Sequence, residues 1–236
     1  MPLPIMLPRR LVALLAGGLL AGGLLAACSP PWNDPYPPPE PGQQVLYSAF
    51  SERPKHLDPA QSYTEDEATF TGQIYEPPLQ YHYLKRPYEL IPATLTRVPQ
   101  PRFFDAAGRE LPADAPAGQI AESVYELQLQ PGIRYQPHPA FARDDHGQPL
   151  YLGKNAAAGR QSPADFPQQD SRELTADDYI YQIKRLAHPR LHSPIYGMMA
   201  DKIVGLKALG EALARASREG AADAWLDLDA FPLAGV

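Results

Sequence analysis

The chain has 236 residues, 44% of them apolar and 20% charged, a balance that argues against a disordered tail, a collagen or a heptad rod. Its net charge is -6, from 21 Lys and Arg against 27 Asp and Glu, and no basic cluster suits a nucleic-acid backbone. The 29 prolines, more than twice the usual share, argue against long unbroken helices, and a single cysteine excludes a disulfide framework or a cysteine-rich metal site.

Arg9 and Arg10 precede seventeen residues, Leu11 to Ala27, that carry no polar side chain, and Cys28 and Ser29 follow. A positive flank, an apolar core and small exit residues are what an export signal needs. The end of the core, Leu25-Ala26-Ala27-Cys28, resembles the bacterial lipobox, where the cysteine is lipidated and becomes the first residue after cleavage. The competing readings are a retained transmembrane helix and a buried cysteine. Seventeen residues lie at the short end of a span, and Gly17, Gly18, Gly22 and Gly23 weaken such a helix. Residues 1–27 are therefore expected to be a lipoprotein signal peptide and Cys28 the lipidation site, giving a membrane-anchored product that faces the periplasm. Several acyl chains would hold firmly, since each buried methylene contributes about 0.8 kcal/mol. The mature chain would carry 19 basic against 27 acidic residues, a charge of -8.

Residues 28–44 read as a proline-rich tether: seven prolines fall within the twelve positions from Pro30 to Pro41. Such a stretch favours polyproline II at about 3 Å per residue and acts as a semi-rigid spacer. A ligand for an aromatic groove is the alternative. Val45 to Phe50, a short run of strand formers, predicts a buried strand. Thr64-Glu65-Asp66-Glu67 fits a capping box and predicts a helix with Phe70 and Ile74 on its inner face, Tyr75 beside them and Pro77-Pro78 as its stop. From Ser123 to Gln130, Tyr125, Leu127 and Leu129 alternate with polar residues, which predicts a strand with one buried and one wet face, turned by Pro131-Gly132. Residues 137–173, broken by five prolines, read as a long surface excursion.

Leu174-Thr175-Ala176-Asp177-Asp178-Tyr179 predicts a strong helix start, with Thr175 capping, the two aspartates meeting the positive end of the dipole and Leu174 stapling onto Tyr179. The face Tyr179, Ile180, Ile183, Leu186, Ala187 runs until Pro189 ends it. A last helix is expected over Leu206 to Glu219, with Leu206, Leu209, Leu213 and Ala216 along one side and Gly220 as stop. Beyond Trp225 no capped or amphipathic element is expected to close the chain.

Common catalytic and phosphate-binding signatures are absent. His188 and His192 have a metal-like spacing, but Pro189 between them breaks the shared face and leaves them as solvated loop histidines. His138 and His146, near Asp144 and Asp145, lack rigid spacing. No metal or catalytic residue is assigned. Asp177 and Asp178 point about 100° apart on a helix and act as capping groups, not as an acid/base dyad. The 13 tyrosines, several in proline-rich turns, suit a binding cleft as well as sheet packing.

Lipobox, early strand, Leu57-Asp58-Pro59-Ala60, Ile74-Tyr75-Glu76-Pro77, Leu129-Gln130-Pro131-Gly132-Ile133-Arg134-Tyr135 and Leu174 to Tyr179 with Lys184-Arg185-Leu186 resemble, in order, the N-terminal part of the family 5 extracellular solute-binding proteins. The resemblance implies an α/β fold of the type II periplasmic-binding-protein kind, here its N-terminal lobe only, spanning residues 45–236 with an insertion at 137–173. It implies the substrate-binding lipoprotein of an ABC-type oligopeptide or dipeptide importer: a clamshell that closes on a peptide or other small solute and docks on permease subunits, without enzymatic activity or cofactor. In the family the segment after Leu-Asp-Pro borders the cleft, which here means Tyr63 and Thr64, although Thr64 has an equal role as a helix cap. A structural cell-envelope lipoprotein and an exported hydrolase are the alternatives. Family members are longer, so the chain is expected to be the leading portion of a longer reading frame, with the second wall of the ligand site supplied elsewhere.

Overall fold

The computed structural model describes residue 36 and residues 39–153, 158–220 and 225–236. The segment expected to be a signal peptide, residues 1–27, together with Cys28 and the proline-rich stretch up to residue 38, residue 36 apart, lies outside the described residues. The chain divides into two units, Met1–Ala49 and Phe50–Val236.

In the first unit a turn is closed by the Gln43 amide donating to the Glu40 carbonyl at 2.9 Å, and Tyr36 and Tyr47 stack with 3.7 Å between ring centroids. The buried strand expected at Val45 to Phe50 is absent: the segment pairs with no described strand and Leu46 is 91% exposed. Strand formers specify a segment that can enter a sheet, but a strand exists only where a neighbour offers its edge.

The second unit opens with a loop and then α1 (Glu65–Ile74), whose capping box forms as the sequence requires: the Thr64 hydroxyl accepts from the Glu67 amide and the Glu67 carboxylate accepts from the Thr64 amide. Phe70 is half-buried against Phe50, edge to face at 5.4 Å, whereas Ile74 and Tyr75 remain exposed. Two small antiparallel sheets follow. One is the hairpin β1 (Leu79–Tyr81) and β2 (Leu90–Pro92), with Leu79 opposite Pro92. The other has the order β4-β3-β5, from β3 (Pro101–Phe104), β4 (Glu110–Leu111) and β5 (Glu122–Tyr125), with Arg102 opposite Val124. The strand expected over Ser123 to Gln130 is thus shorter and has no buried face: every residue of β5 is exposed, as is Leu127. Alternation marks a face that could be covered, and among the described residues nothing covers it. Leu129 is half-buried and bridges to Leu95, which is buried, as is its neighbour Thr94.

The excursion at 137–173 is zipped at its base, where Arg134 faces Glu173 and His138 faces Asp170, and carries 3₁₀ turns at Pro139–Phe141 and Pro163–Asp165. Next come α2 (Ala176–Leu186), the short α3 (Tyr196–Ala200) and α4 (Leu206–Glu219). Thr175 and Asp178 form the capping box of α2, and Gly220 caps α4. Gly205, at φ +81°, takes the left-handed turn into α4, with Ala234 packed against it.

The core lies under α2 and α4. Ala187, Leu206, Leu209, Leu213, Leu228 and Leu233 form one buried cluster, edged by Ile183, Ile203 and Phe231. Each leucine enclosed this way contributes roughly 1.5–3 kcal/mol. Leu228 and Leu233 belong to the terminal segment, where the sequence predicts no closing element. A 3₁₀ turn at Leu228–Ala230, capped by the Asp227 carboxylate on the Asp229 amide, aims Leu228 inward, and the Leu228 carbonyl accepts from Lys184 Nζ at 3.2 Å. The apolar spacing in this segment is too short to register as a helix, so only packing reveals it. The fold is mixed α/β with small sheets, and no helix among the described residues is long and apolar enough to cross a membrane.

Candidate ligand-binding site

The loop before α1 is folded by two carboxylates. Asp58 Oδ1 accepts from the Ala60 amide at 3.0 Å while its own carbonyl accepts from the amides of Gln61 and Ser62, a tight turn that sets the Ala60 methyl into a small second core with Leu186 and Leu191. Across the chain, Arg185 of α2 grips the same carboxylate with Nη1 and Nη2, which donate to Oδ1 and Oδ2 at 2.9 and 2.5 Å. Burial by itself would raise the pKa of Asp58, but the Arg185 hydrogen bonds and the Ala60 amide outweigh it and hold the group below its usual value.

Glu67 is the second clamp. Its side chain is enclosed, and its two oxygens accept from four amides: Lys55 and His56 on one, Tyr63 and Thr64 on the other, at 2.8–3.1 Å. The amides of Tyr63, Thr64 and His56 pull the Glu67 pKa down to about 2. A capping glutamate was legible in the sequence, but its second pair of amides, eleven and twelve residues back, was not.

Tyr63 and Thr64 stand on this clamped loop, adjacent but unequal. Tyr63 is 73% exposed. The Thr64 hydroxyl is committed to the α1 cap, accepting from the Glu67 amide at 3.4 Å. Tyr63 therefore offers a free aromatic face on a rigid backbone, and Thr64 contributes by fixing that backbone.

The remaining motif-bearing segments meet along α2. Tyr179 Oη donates to the Glu76 carbonyl at 3.1 Å and lies 2.6 Å from Thr94 Oγ1, and burial pushes the phenol pKa up. Gln130 ties the Pro-Gly turn to the same region through the carbonyls of Ala93 and Leu95. The Leu174 amide donates to the Ile133 carbonyl, and Glu173 accepts from the Gly132 amide. Arg172 pairs with Asp178 and lies over the Tyr135 ring at 4.8 Å. Burial would raise the pKa of Asp178, yet the Arg172 bonds and the Thr175 amide keep it low.

Two hollows lie elsewhere. One, of about 410 Å³, sits in the excursion between His138, Tyr151, Arg160 and Phe166, and the other, of about 220 Å³, lies beside His188 and Ser193. Neither is lined by Tyr63 or Thr64. Tyr81, Tyr83 and Tyr88 of the hairpin are exposed. His192 is exposed as expected, but His188 is not the solvated histidine that the sequence suggested: it is 2% exposed, because the turn after Pro189 folds its ring under Trp225. Among the described residues no group of three or more metal-ligating side chains occurs.

The chain matches no protein-family model, and no curated protein or solved structure shows significant similarity to it.

Proposed function

We propose that the protein is a substrate-binding lipoprotein of an ABC-type oligopeptide or dipeptide importer, of the family 5 kind, anchored through Cys28 and contributing one wall of a peptide site around Tyr63. What supports this reading is one observation. Segments that carry the family resemblance, separated by up to 127 residues in sequence, are bonded to α2 or to the residues just before it: Asp58 to Arg185 and Glu76 to Tyr179 on the helix, and Gly132-Ile133 to Glu173-Leu174 ahead of its cap. A chance scatter of short motifs has no reason to be mutually bonded. The exposed Tyr63, Tyr81, Tyr83 and Leu127 fit a surface that a second lobe closes over. In this role no bond is broken; ligand shifts an open and closed equilibrium by its differential affinity for the two states.

The test has two parts. Palmitate labelling of the full chain in its bacterial host should mark the protein, and Cys28→Ser should abolish both label and membrane retention. Mapping the transcript should find permease and ATPase coding sequences on the same message. A transcript without either, or a retained label after Cys28→Ser, refutes the reading.

A further inference from the structure

The loop that joins β1 to β2 is longer and less polar than a connection requires. Eight residues separate Tyr81 from Leu90, where hairpins commonly use about two to five drawn from Gly, Asn, Asp and Ser. This loop presents Leu84 and Tyr88, each 69% exposed, with Pro87 exposed between them and Lys85 and Arg86 alongside. Its own bonds hold it in shape. The His82 amide donates to the Glu89 carbonyl at 2.8 Å, the Leu84 amide donates to His82 Nδ1 at 3.2 Å, and Lys85 Nζ meets the Glu89 carboxylate at 2.8 Å. The Arg86 guanidinium donates to the Lys85 carbonyl at 2.8 Å and lies 4.4 Å over the Tyr88 ring, which also meets Tyr81 edge to face at 5.7 Å.

Exposed apolar side chains held beside two bases mark a contact surface, and their chemistry narrows the partner. A protein partner covers about 800 Å² with roughly twenty or more residues a side, of which one loop supplies a fraction. A bilayer surface sets no such requirement: tyrosine rests at the headgroup level, leucine reaches just below it, and lysine and arginine meet the phosphates. Charge points the same way. From Pro77 to Arg97 the bases Lys85, Arg86 and Arg97 stand against the single acid Glu89, in a chain whose net charge is -6. Arg86 has no carboxylate partner among the described residues, and the exposed Lys85–Glu89 pair is of the kind that contributes little and yields to competing ions.

We propose that the tip of the β1–β2 hairpin is a contact site for an anionic phospholipid surface, with Leu84 and Tyr88 entering the headgroup layer and Lys85 and Arg86 against the lipid phosphates. Contact through one loop is weak by itself and takes effect once another segment brings the chain to the bilayer, since stable attachment takes two signals. The apolar run from Leu11 to Ala27 is such a segment, so the proposal does not depend on the transport reading.

Cys28→Ser leaves the chain without cysteine, so Leu84→Cys can carry an environment-sensitive nitrobenzoxadiazole probe at the tip, and Leu152→Cys, at a residue 83% exposed in the excursion, serves as the reference position. The full-length labelled chains are reconstituted on vesicles of phosphatidylglycerol and phosphatidylcholine, and the floated fraction is read. The tip probe should brighten, shift to the blue and be quenched by a nitroxide on the lipid acyl chain, while the reference probe stays in water. Arg86→Gln in the tip-labelled chain should lower the ratio of immersed to free tip about fivefold, the effect of one basic residue near an anionic surface. Vesicles of phosphatidylcholine alone should leave the tip probe in water. A chain that does not float, or a tip probe no more immersed than the reference, overturns the proposal and leaves the loop to a protein partner. Equal immersion on phosphatidylcholine alone, or no loss with Arg86→Gln, overturns it as well.

Discussion

The Asp58–Arg185 pair joins the loop that carries Tyr63 to α2, across 127 residues of sequence, and its energetic weight can be worked out. The two side chains are 26% and 21% exposed, so the pair lies between a surface ion pair, worth about 0.2–1 kcal/mol, and a buried one whose truncation costs about 3–5 kcal/mol. The grip is bidentate, and the carboxylate also holds the Ala60 amide. Asp58→Ala should therefore cost about 2 kcal/mol, and a double-mutant cycle with Arg185→Ala should give a coupling of about 1 kcal/mol. For a unit the size of Phe50–Val236 that stability loss lowers Tm by about 4–8 °C. The sign with pH follows from the depressed carboxyl: the contribution is fully present above the unfolded pKa of 3.8 and disappears as pH falls through the lower folded value. Chemical denaturation at pH 7 and again below pH 3.8 is the assay, with exchange of the Ala60, Gln61 and Ser62 amides as a local readout. A coupling below about 0.3 kcal/mol at pH 7 would place the pair among surface contacts and refute the claim that it clamps the loop.

Thr64→Ala should cost about 1 kcal/mol through loss of the α1 cap, and Thr64→Ser should restore it; failure of serine to restore stability in a denaturant titration would mean the hydroxyl is not acting as a cap. Gly210→Ala should destabilise by about 1–3 kcal/mol although alanine is the better helix former, because its methyl would lie 1.9 Å from Tyr196 Oη. Tyr196→Phe in the same chain should recover part of that loss, and a neutral or raised melting temperature for Gly210→Ala alone contradicts the packing. Leu213→Ala, at a position with no exposed surface, should cost about 3 kcal/mol by shifting the denaturant midpoint, and a loss under about 1 kcal/mol would mean that the core beneath α4 is not closed.

What was legible in the sequence was local. Thr64 with Glu67 and Thr175 with Asp178 announce helix starts because a cap is made within four residues, and the leucine spacing from 206 to 213 marks a face because a helix repeats every 3.6 residues. The tyrosine and threonine of the candidate site were found only through a likeness to a family, and local rules explained Thr64 alone. What the tertiary structure decided was partnership. Val45 to Phe50 has strand chemistry and no described strand beside it; Leu127 alternates correctly and faces solvent, while Leu228, in a segment without periodicity, is enclosed. His188 stacks under Trp225 and is enclosed, while His192, four residues on, is exposed. Glu67 and Asp58 acquire their clamping roles from amides and a guanidinium brought in from elsewhere in the chain. The physical reason is common to all of these. A sequence states what each residue can bury or bond, but burial and bonding are pairwise, and the second member of each pair is chosen only when the whole chain packs.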